Sequence, residues 1–320
     1  MVRLEFTIHL DYEVASPADF VFLIAAAKSP CQAVVSERLE VDRPTATSWF
    51  SEPHFGNRLL RLRATPGPLH VAYSASVDIR HTFADPASIG EASIADVPAD
   101  VLPFLAASRY CQSDRLVQFA HDEFGPHAPG YARVDAIAKW VRDHVRFQGG
   151  TSNTSTSALD TLADRRGVCR DFAHLMIAAC RAINIPARFV TGIDYDADPA
   201  LGPCDFHAYV EAWLGNRWYL FDPTGISPTT GLVRIGTGRD AADVAFATIY
   251  GQVRTHAPAV SIVAIEDAGR GIRLPHRTSR AVSTAVSANP VGAHRAPADE
   301  ATLLPFLLHA PRDAARRRAT

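Results

Sequence analysis

The sequence predicts an α+β fold in which a small β-rich domain precedes a core of helices and antiparallel strands. Apolar and polar residues alternate along most of the first 80 residues, which is the period of half-buried strands. In the centre of the chain the apolar residues recur at helical spacing instead. Strand-like segments joined by a two-residue turn then follow, which favours an antiparallel sheet beside the helices.

The N-terminal β domain is expected over residues 1–80. Its first strand carries apolar residues at period two, namely Leu4, Phe6, Ile8, Leu10 and Tyr12. Further strands are expected at Ala33–Val41, Arg58–Arg63 and His70–Ile79. The segment Phe20–Ala26 is expected to form a short helix, because Ser16-Pro17 and Asp19 before it resemble a helix start. A linker rich in Ala, Asp, Pro and Ser is expected over residues 81–106.

A second domain, expected over residues 107–275, contains the helices. They are predicted at Asp114–Phe124, Arg133–Val145, Ala158–Arg165 and Cys169–Ile183. The last helix follows Gly167, and Asn184-Ile185-Pro186 ends it. Strands are then predicted at Ala187–Ile193, Phe206–Leu214 and Arg217–Asp222, and Gly215-Asn216 is a hairpin turn signal. The pattern after Pro223 is less regular, and residues 276–320 are expected to form a disordered tail with an apolar island at Leu303–Leu308.

Composition excludes several classes of function. Hydrophobic residues make up 47% of the 320 residues and charged residues 21%, with a formal net charge of -2. This balance predicts no overall electrostatic attraction to nucleic acid or to an anionic membrane. No apolar run approaches the roughly 18 residues of a membrane-spanning helix. The segment Met1–Tyr12 lacks the pattern of a signal peptide, so a cytoplasmic location is expected.

Cys169 is the first candidate for a reactive group. It is one of five cysteines, an odd number without close pairing, and it begins a predicted helix directly after Gly167-Val168. The partial positive charge and the free N–H groups of a helix N-terminus lower the pKa of a thiol and stabilise an oxyanion. A cysteine taken alone is more often a small buried residue, so this position indicates a nucleophile without deciding the matter.

His207 and Asp222 supply a more specific signal, because the predicted hairpin relates their positions. If Gly215 and Asn216 form the turn, the numbers of paired residues sum to 431, since Leu214 faces Arg217. Asp222 then lies on the same face as His207 and diagonal to it, within reach of a side-chain hydrogen bond. A carboxylate there fixes the tautomer of the imidazole and stabilises its protonated form. Cys169, His207 and Asp222 together form a candidate nucleophile, base and orienting group.

Three segments resemble the conserved motifs of the bacterial transglutaminase-like family. They are the cysteine segment Gly167-Val168-Cys169-Arg170-Asp171-Phe172-Ala173-His174-Leu175, the histidine strand Phe206-His207-Ala208-Tyr209-Val210-Glu211-Ala212 and the aspartate segment Trp218-Tyr219-Leu220-Phe221-Asp222-Pro223-Thr224. The similarity covers roughly residues 107–250, and the β-rich start resembles the N-terminal region often attached to this core. The resemblance implies a papain-like core, in which a helix that carries the cysteine packs on an antiparallel sheet that carries the histidine and the aspartate.

The chemistry that the resemblance implies is acyl transfer from an amide through a thioester on Cys169. Water as the second reactant makes the enzyme an amidase or protease, and an amine makes it a transglutaminase; the sequence leaves both open. The substrate is expected to be a peptide or protein, and no cofactor is expected. Gln148 and Trp140 are weak candidates for a side-chain oxyanion donor. The oligomeric state stays open.

Two other classes of function compete with a thiol enzyme. A binding module that keeps the fold without catalysis is the main alternative, although all three candidate residues are present. A zinc site could use Cys204 and His207 with Cys169, His174 and Cys180, but three or four ligands would have to converge, so no metal is expected. His174 is expected to be packed or hydrogen-bonded in the core. Tyr209, Trp213 and Trp218 are candidates to line a substrate groove.

Overall fold

A computed structural model describes residues 1–197 and 204–284. Seven strands occupy its N-terminal region: β1 (Val2–Val14), β2 (Ala18–Phe22), β3 (Gln32–Val41), β4 (Thr47–Ser51), β5 (Arg58–Ala64), β6 (Gly67–Ile79) and β7 (Thr82–Ala84). The centre comprises α1 (Val117–Phe124), α2 (Tyr131–His144), β8 (Arg146–Phe147), α3 (Ala158–Asp164), β9 (Arg166–Gly167) and α4 (Cys169–Ala182).

The remaining strands follow α4. They are β10 (Ala187–Asp194), β11 (Phe206–Leu214), β12 (Arg217–Phe221), β13 (Leu232–Gly238), β14 (Ala247–Tyr250), β15 (Val253–Thr255), β16 (Ala259–Ile265) and β17 (Ala281–Ser283). The observed elements confirm the α+β class, and most of the predicted helices and strands agree with them within a few residues.

The N-terminal strands form two antiparallel sheets. One has the order β15-β1-β6-β3, with β16 also paired to β1, and the other has the order β14-β2-β5-β4. Burial along β1 alternates as period two requires. Tyr12 on β1 contacts Phe20 and Phe22 on β2, with ring centroids 5.2 and 5.9 Å apart. These aromatic contacts join the two sheets across their buried faces.

The predicted short helix at Phe20–Ala26 is wrong. Residues 18–22 form the strand β2, which pairs with β5 and with β14. Ala18, Phe20 and Phe22 are buried while Asp19 and Val21 are partly exposed, so the apolar pattern has the period of a strand. Pairing on both edges outweighs the helix-start signal of Ser16-Pro17.

Segments beyond Pro223 are more regular than their sequence suggested. β14 pairs with β2, and β15 and β16 pair with β1, so residues 247–265 complete the two N-terminal sheets. Within the predicted tail, β17 pairs with β7 in the predicted linker. For these residues the structure differs from the expectation of disorder and of an unstructured linker. The rest of that tail, with Leu303–Leu308, lies outside the described residues.

The core sheet has the order β12-β11-β10-β13, and α4 packs against β10 and β11. The helix is almost entirely buried because its core-facing positions are small or apolar, among them Ala173, Met176 and Ala179. The opposite face of the sheet holds Glu211, which is ion-paired with Arg188 and with Arg234. None of the helices in the described part of the chain is long and apolar enough to cross a membrane.

Candidate active site

Cys169 is the first residue of α4, as the sequence predicted. The hydrogen bonds of the first turn begin with the N–H groups of Asp171 and Phe172, which donate to the carbonyl of Val168. The N–H groups of Cys169 and Arg170 therefore precede the helical ladder, at the positively polarised end of the helix. The Cys169 side chain is partly exposed, with Sγ 3.9 Å from the carbonyl oxygen of Phe206 at the start of β11.

A network of polar side chains holds the start of α4 in place. The Val168 N–H donates to Oδ2 of Asp171 at 2.8 Å, and the hydroxyl of Ser152 donates to Oδ1 at 2.9 Å. Arg170 donates to Ser152 Oγ at 2.8 Å, which ties the loop before α3 to the same turn. A Cβ on Gly167 would lie 2.7 Å from the Cβ of Asp171. Glycine at this position therefore lets the capping carboxylate approach the chain.

His207 and Asp222 meet as the hairpin register predicted. The observed pairs of β11 and β12 run from Leu214↔Arg217 to Val210↔Phe221, each summing to 431. Nε2 of His207 lies 3.2 Å from Oδ1 of Asp222, and both side chains are almost fully buried. Asp222 Oδ1 also accepts hydrogen bonds from the N–H and the hydroxyl of Thr224, at 3.0 and 2.6 Å. The carboxylate is thereby held in one orientation against the imidazole.

The charges at this site stabilise one another. Burial by itself would lower the pKa of His207, but the charge and hydrogen bond of Asp222, together with Cys169, raise that pKa well above its ordinary value. Burial would likewise raise the pKa of Asp222, but the charge of His207 and the hydrogen bonds from His207 and Thr224 hold it below its usual range. The arrangement therefore favours an imidazolium beside a carboxylate.

A cavity of about 680 Å³ opens over Cys169 and His207. Its lining includes the apolar side chains of Phe189, Val244, Phe246 and Pro258, and the ring of Phe246 stacks on Phe206 at 4.8 Å. Its lining also includes the polar side chains of Arg109, Tyr110, Ser152 and Thr154. An extended acyl group of peptide size can therefore reach the cysteine.

Comparison with known proteins assigns the fold to a family. The model of the transglutaminase-like superfamily matches residues 118–223, and that of the bacterial transglutaminase N-terminal domain matches residues 2–100. A crystal structure of a candidate cysteine protease from Cytophaga hutchinsonii is 37% identical, with a TM-score of 0.82 over 88% of this chain and 97% of that one. The chain belongs to the transglutaminase-like superfamily.

Uncharacterized mycobacterial proteins are also related to this transglutaminase-like chain. One from Mycobacterium leprae is 39% identical over 124 residues, which are 37% of this chain and 44% of the relative. One from Mycobacterium tuberculosis is 29% identical over 143 residues, which are 41% of this chain and 46% of the relative. The chain thus spans less than half of the length of the curated relatives that it matches.

Several secondary candidates of the transglutaminase-like chain lie away from the cavity. Trp140 packs on Phe119, Phe124 and His144 in the helical layer. Tyr209 is buried in a separate apolar cluster, and Trp213 and Trp218 pack with Phe104. None of these four candidates is among the residues that line the cavity. The groove prediction is therefore wrong for the three sheet aromatics, which belong to the core.

The prediction for His174 is confirmed. It is buried, stacks on Tyr110 at 5.0 Å, and its Nε2 accepts a hydrogen bond from the N–H of Ala241 at 3.2 Å. Burial lowers its pKa to about 3, so it is neutral. Gln148 is exposed, and its backbone N–H donates to Gly167 O. In the described ranges 1–197 and 204–284, no group of three His, Cys, Asp or Glu residues is arranged to hold a metal ion.

Sequence reasoning missed two parts of the site. The cavity wall from Ala241 to Phe246 falls in a segment that looked irregular. Asp194, the last residue of β10, contacts the second ring nitrogen of His207, with Oδ2 3.5 Å from Nδ1. The predicted strand ended one residue before it. Strand periodicity continued by one residue would have placed Asp194 on a definite face, but not beside His207.

Proposed function

We propose that this protein is a thiol-dependent acyl-transfer enzyme that acts on amide bonds of a peptide or of a glutamine side chain. The observation that carries the proposal is the meeting of three groups from separate parts of the fold, two of which line one cavity. Cys169 lies at the N-terminus of α4, and a buried His207 bound to Asp222 lies beside it. The similarity to a candidate cysteine protease supports the same reaction class.

The proposed reaction begins with a proton transfer from Cys169 to His207. Because Nε2 of His207 is bound to Asp222, Nδ1 is the nitrogen that receives the proton. The thiolate attacks the amide carbonyl, and the carbonyl electrons move to oxygen. The free N–H groups at the start of α4 stabilise this oxyanion. The C–N bond then breaks, the amine leaves with the proton from His207, and a thioester on Cys169 remains.

The second half of the reaction reverses these steps with a new nucleophile. His207 takes a proton from water or from a primary amine, which attacks the thioester, and Cys169 leaves with the proton restored. Water yields a carboxylic acid, and an amine yields a new amide. We propose a peptide donor with a large apolar side chain, because the cavity that opens over Cys169 is also lined by Phe189, Val244 and Phe246.

Intact-mass analysis of defined peptides tests the proposed reaction. Glutamine-containing and glutamine-free peptides, each with either a large apolar residue or alanine beside the amide, are incubated with and without a primary amine. Deamidation, chain cleavage and amine addition give three different mass changes. We expect at least one of these mass changes, and we expect it to be faster for the peptides with a large apolar residue than for those with alanine.

Two cysteine variants control the peptide survey. The proposal expects the reaction to disappear in Cys169→Ala and to persist in Cys204→Ala, because burial raises the pKa of the Cys204 thiol to about 11. An unchanged rate in Cys169→Ala would refute the proposed nucleophile. A complete lack of reaction by the native protein across the survey would favour the binding-module alternative.

A further inference from the structure

A second carboxylate lies against His207 on the side opposite Asp222. β10 pairs with β11 so that Gly192 faces His207, and Asp194 follows two residues later on the same face. Its Oδ2 is 3.5 Å from Nδ1 of His207, while Oδ1 of Asp222 is 3.2 Å from Nε2. The imidazole thus has one carboxylate at each nitrogen, one from the end of β10 and one from the residue that follows β12.

The imidazole and its two carboxylates are almost completely enclosed by the protein. The side chains of His207, Asp194 and Asp222 are only 3%, 4% and 2% exposed. Glycine at position 192 is required opposite the imidazole, since a Cβ there would lie 2.1 Å from the carbonyl oxygen of Val233. Water and salt screen such buried charges weakly. Because 3.5 Å exceeds the length of an ordinary N–H···O hydrogen bond, Asp194 acts on the ring mainly through its charge. Burial raises the pKa of Asp194, as does the nearby charge of Asp222, while the charge of His207 opposes that rise.

The structure assigns Asp194 as a positioning residue that holds His207 in its imidazolium form through Nδ1. This role rests on the proposed function, in which Nδ1 exchanges the proton with Cys169. The proton moves from Sγ to Nδ1 and Asp194 receives none. Once the thiolate has attacked the substrate, Cys169 no longer offers a negative charge to the imidazolium. Asp194 then compensates that charge until the proton passes to the leaving amine.

The other titratable groups around His207 do not supply the same charge. Directly after β12 lies Asp222, and at the start of α4 lies Cys169; both interact with the imidazole. Before β11, the Cys204 thiol donates to the backbone carbonyl of Asp194, and its raised pKa keeps it neutral. Asp205 is exposed and accepts from the N–H of Phe206 at 2.7 Å. Asp194 is therefore the carboxylate in contact with Nδ1.

The substitution Asp194→Asn tests this role because it removes the charge and keeps the shape. The readouts are the rate of Cys169 alkylation by iodoacetamide and kcat/KM for the fastest survey peptide, both as functions of pH. Without the carboxylate, the imidazolium loses its proton more easily and the thiolate is no longer repelled. Both limbs of the kcat/KM profile, and the alkylation inflection, are therefore expected to move to lower pH by about one unit.

The matched control is Asp196→Asn, which removes a charge from the exposed turn after β10. Asp196 has φ +61°, a conformation that asparagine also adopts. The pH profiles of Asp196→Asn should therefore coincide with those of the native protein. Thermal unfolding checks the fold, and Asp194→Ser replaces Asp194→Asn if that variant does not fold.

Two results would overturn the role of Asp194. One is an Asp194→Asn profile that coincides with the native profile, and the other is loss of the fold in both variants, which would make the role structural. A different failure is a native Cys169 no more reactive than Cys204, which would refute the proposed function itself and this role with it.

Discussion

Replacement of Asp222 by asparagine should remove most of the activity without removing the fold. The variant keeps the size of the side chain but loses the charge that lies 3.2 Å from Nε2 of His207. Two unit charges at that distance interact by about 5 kcal/mol at an effective dielectric constant of about 20. Since each 1.36 kcal/mol is a factor of ten in rate, kcat/KM should fall by about 10³- to 10⁴-fold.

The assay is the initial rate of peptide turnover, measured on the fastest peptide of the survey. Thr224→Val serves as a graded control, because it removes one hydroxyl donor to Asp222 and leaves the charge. The loss of a hydrogen bond to a charged group costs about 1.5–3 kcal/mol, so its effect should be clearly smaller. A rate for Asp222→Asn within tenfold of the native rate, in a variant with the same thermal unfolding midpoint as the native protein, would show that Asp222 does not act on His207 through its charge.

Three further predictions concern stability and are checked by urea unfolding. Glu211→Gln should lower the free energy of unfolding by about 3–5 kcal/mol, because it leaves the partly buried Arg188 and Arg234 without their fully buried carboxylate; a loss below about 1 kcal/mol would contradict this. Gly192→Ala should lower the free energy of unfolding by at least about 2 kcal/mol, since the added Cβ would clash with the carbonyl oxygen of Val233. A variant as stable as the native protein would show that the backbone shifts to accommodate the Cβ. His207 has a raised folded-state pKa, so it stabilises the protein fully below about pH 6.5 and loses this contribution as pH rises through the folded pKa. The loss of unfolding free energy in His207→Gln should therefore shrink as the pH rises above about 6.5, and a loss that stays constant would contradict the charge assignment.

The part of the site that the sequence predicted is the part controlled by local geometry. A two-residue turn fixes the register of β11 and β12, so the relation of His207 to Asp222 follows from counting. The helix start at Cys169 is also local, because Gly167 and Asp171 provide its cap within a few residues.

The parts that were missed depend on distant pairing. Asp194 meets His207 through the register of β10 and β11, whose connection is too long for a two-residue turn to fix that register. The strands β16 and β1 pair although they are far apart in the sequence, for example at Arg3 and Ile265. Short apolar strands of this kind look irregular until their partner is known. The same applies to β2, because its pairing with β5 and β14 makes this segment a strand although its local sequence resembles a helix start.

Capture of an acyl-enzyme tests directly whether Cys169 is the nucleophile. The native protein, Cys169→Ala and Cys204→Ala are each mixed with an activated acyl ester, quenched in acid, and analysed by peptide mapping and mass spectrometry. We expect one acyl group on the peptide that contains Cys169, in the native protein and in Cys204→Ala, removable by hydroxylamine as a thioester is. Acylation that spares Cys169, or that persists to the same extent in Cys169→Ala, would contradict it.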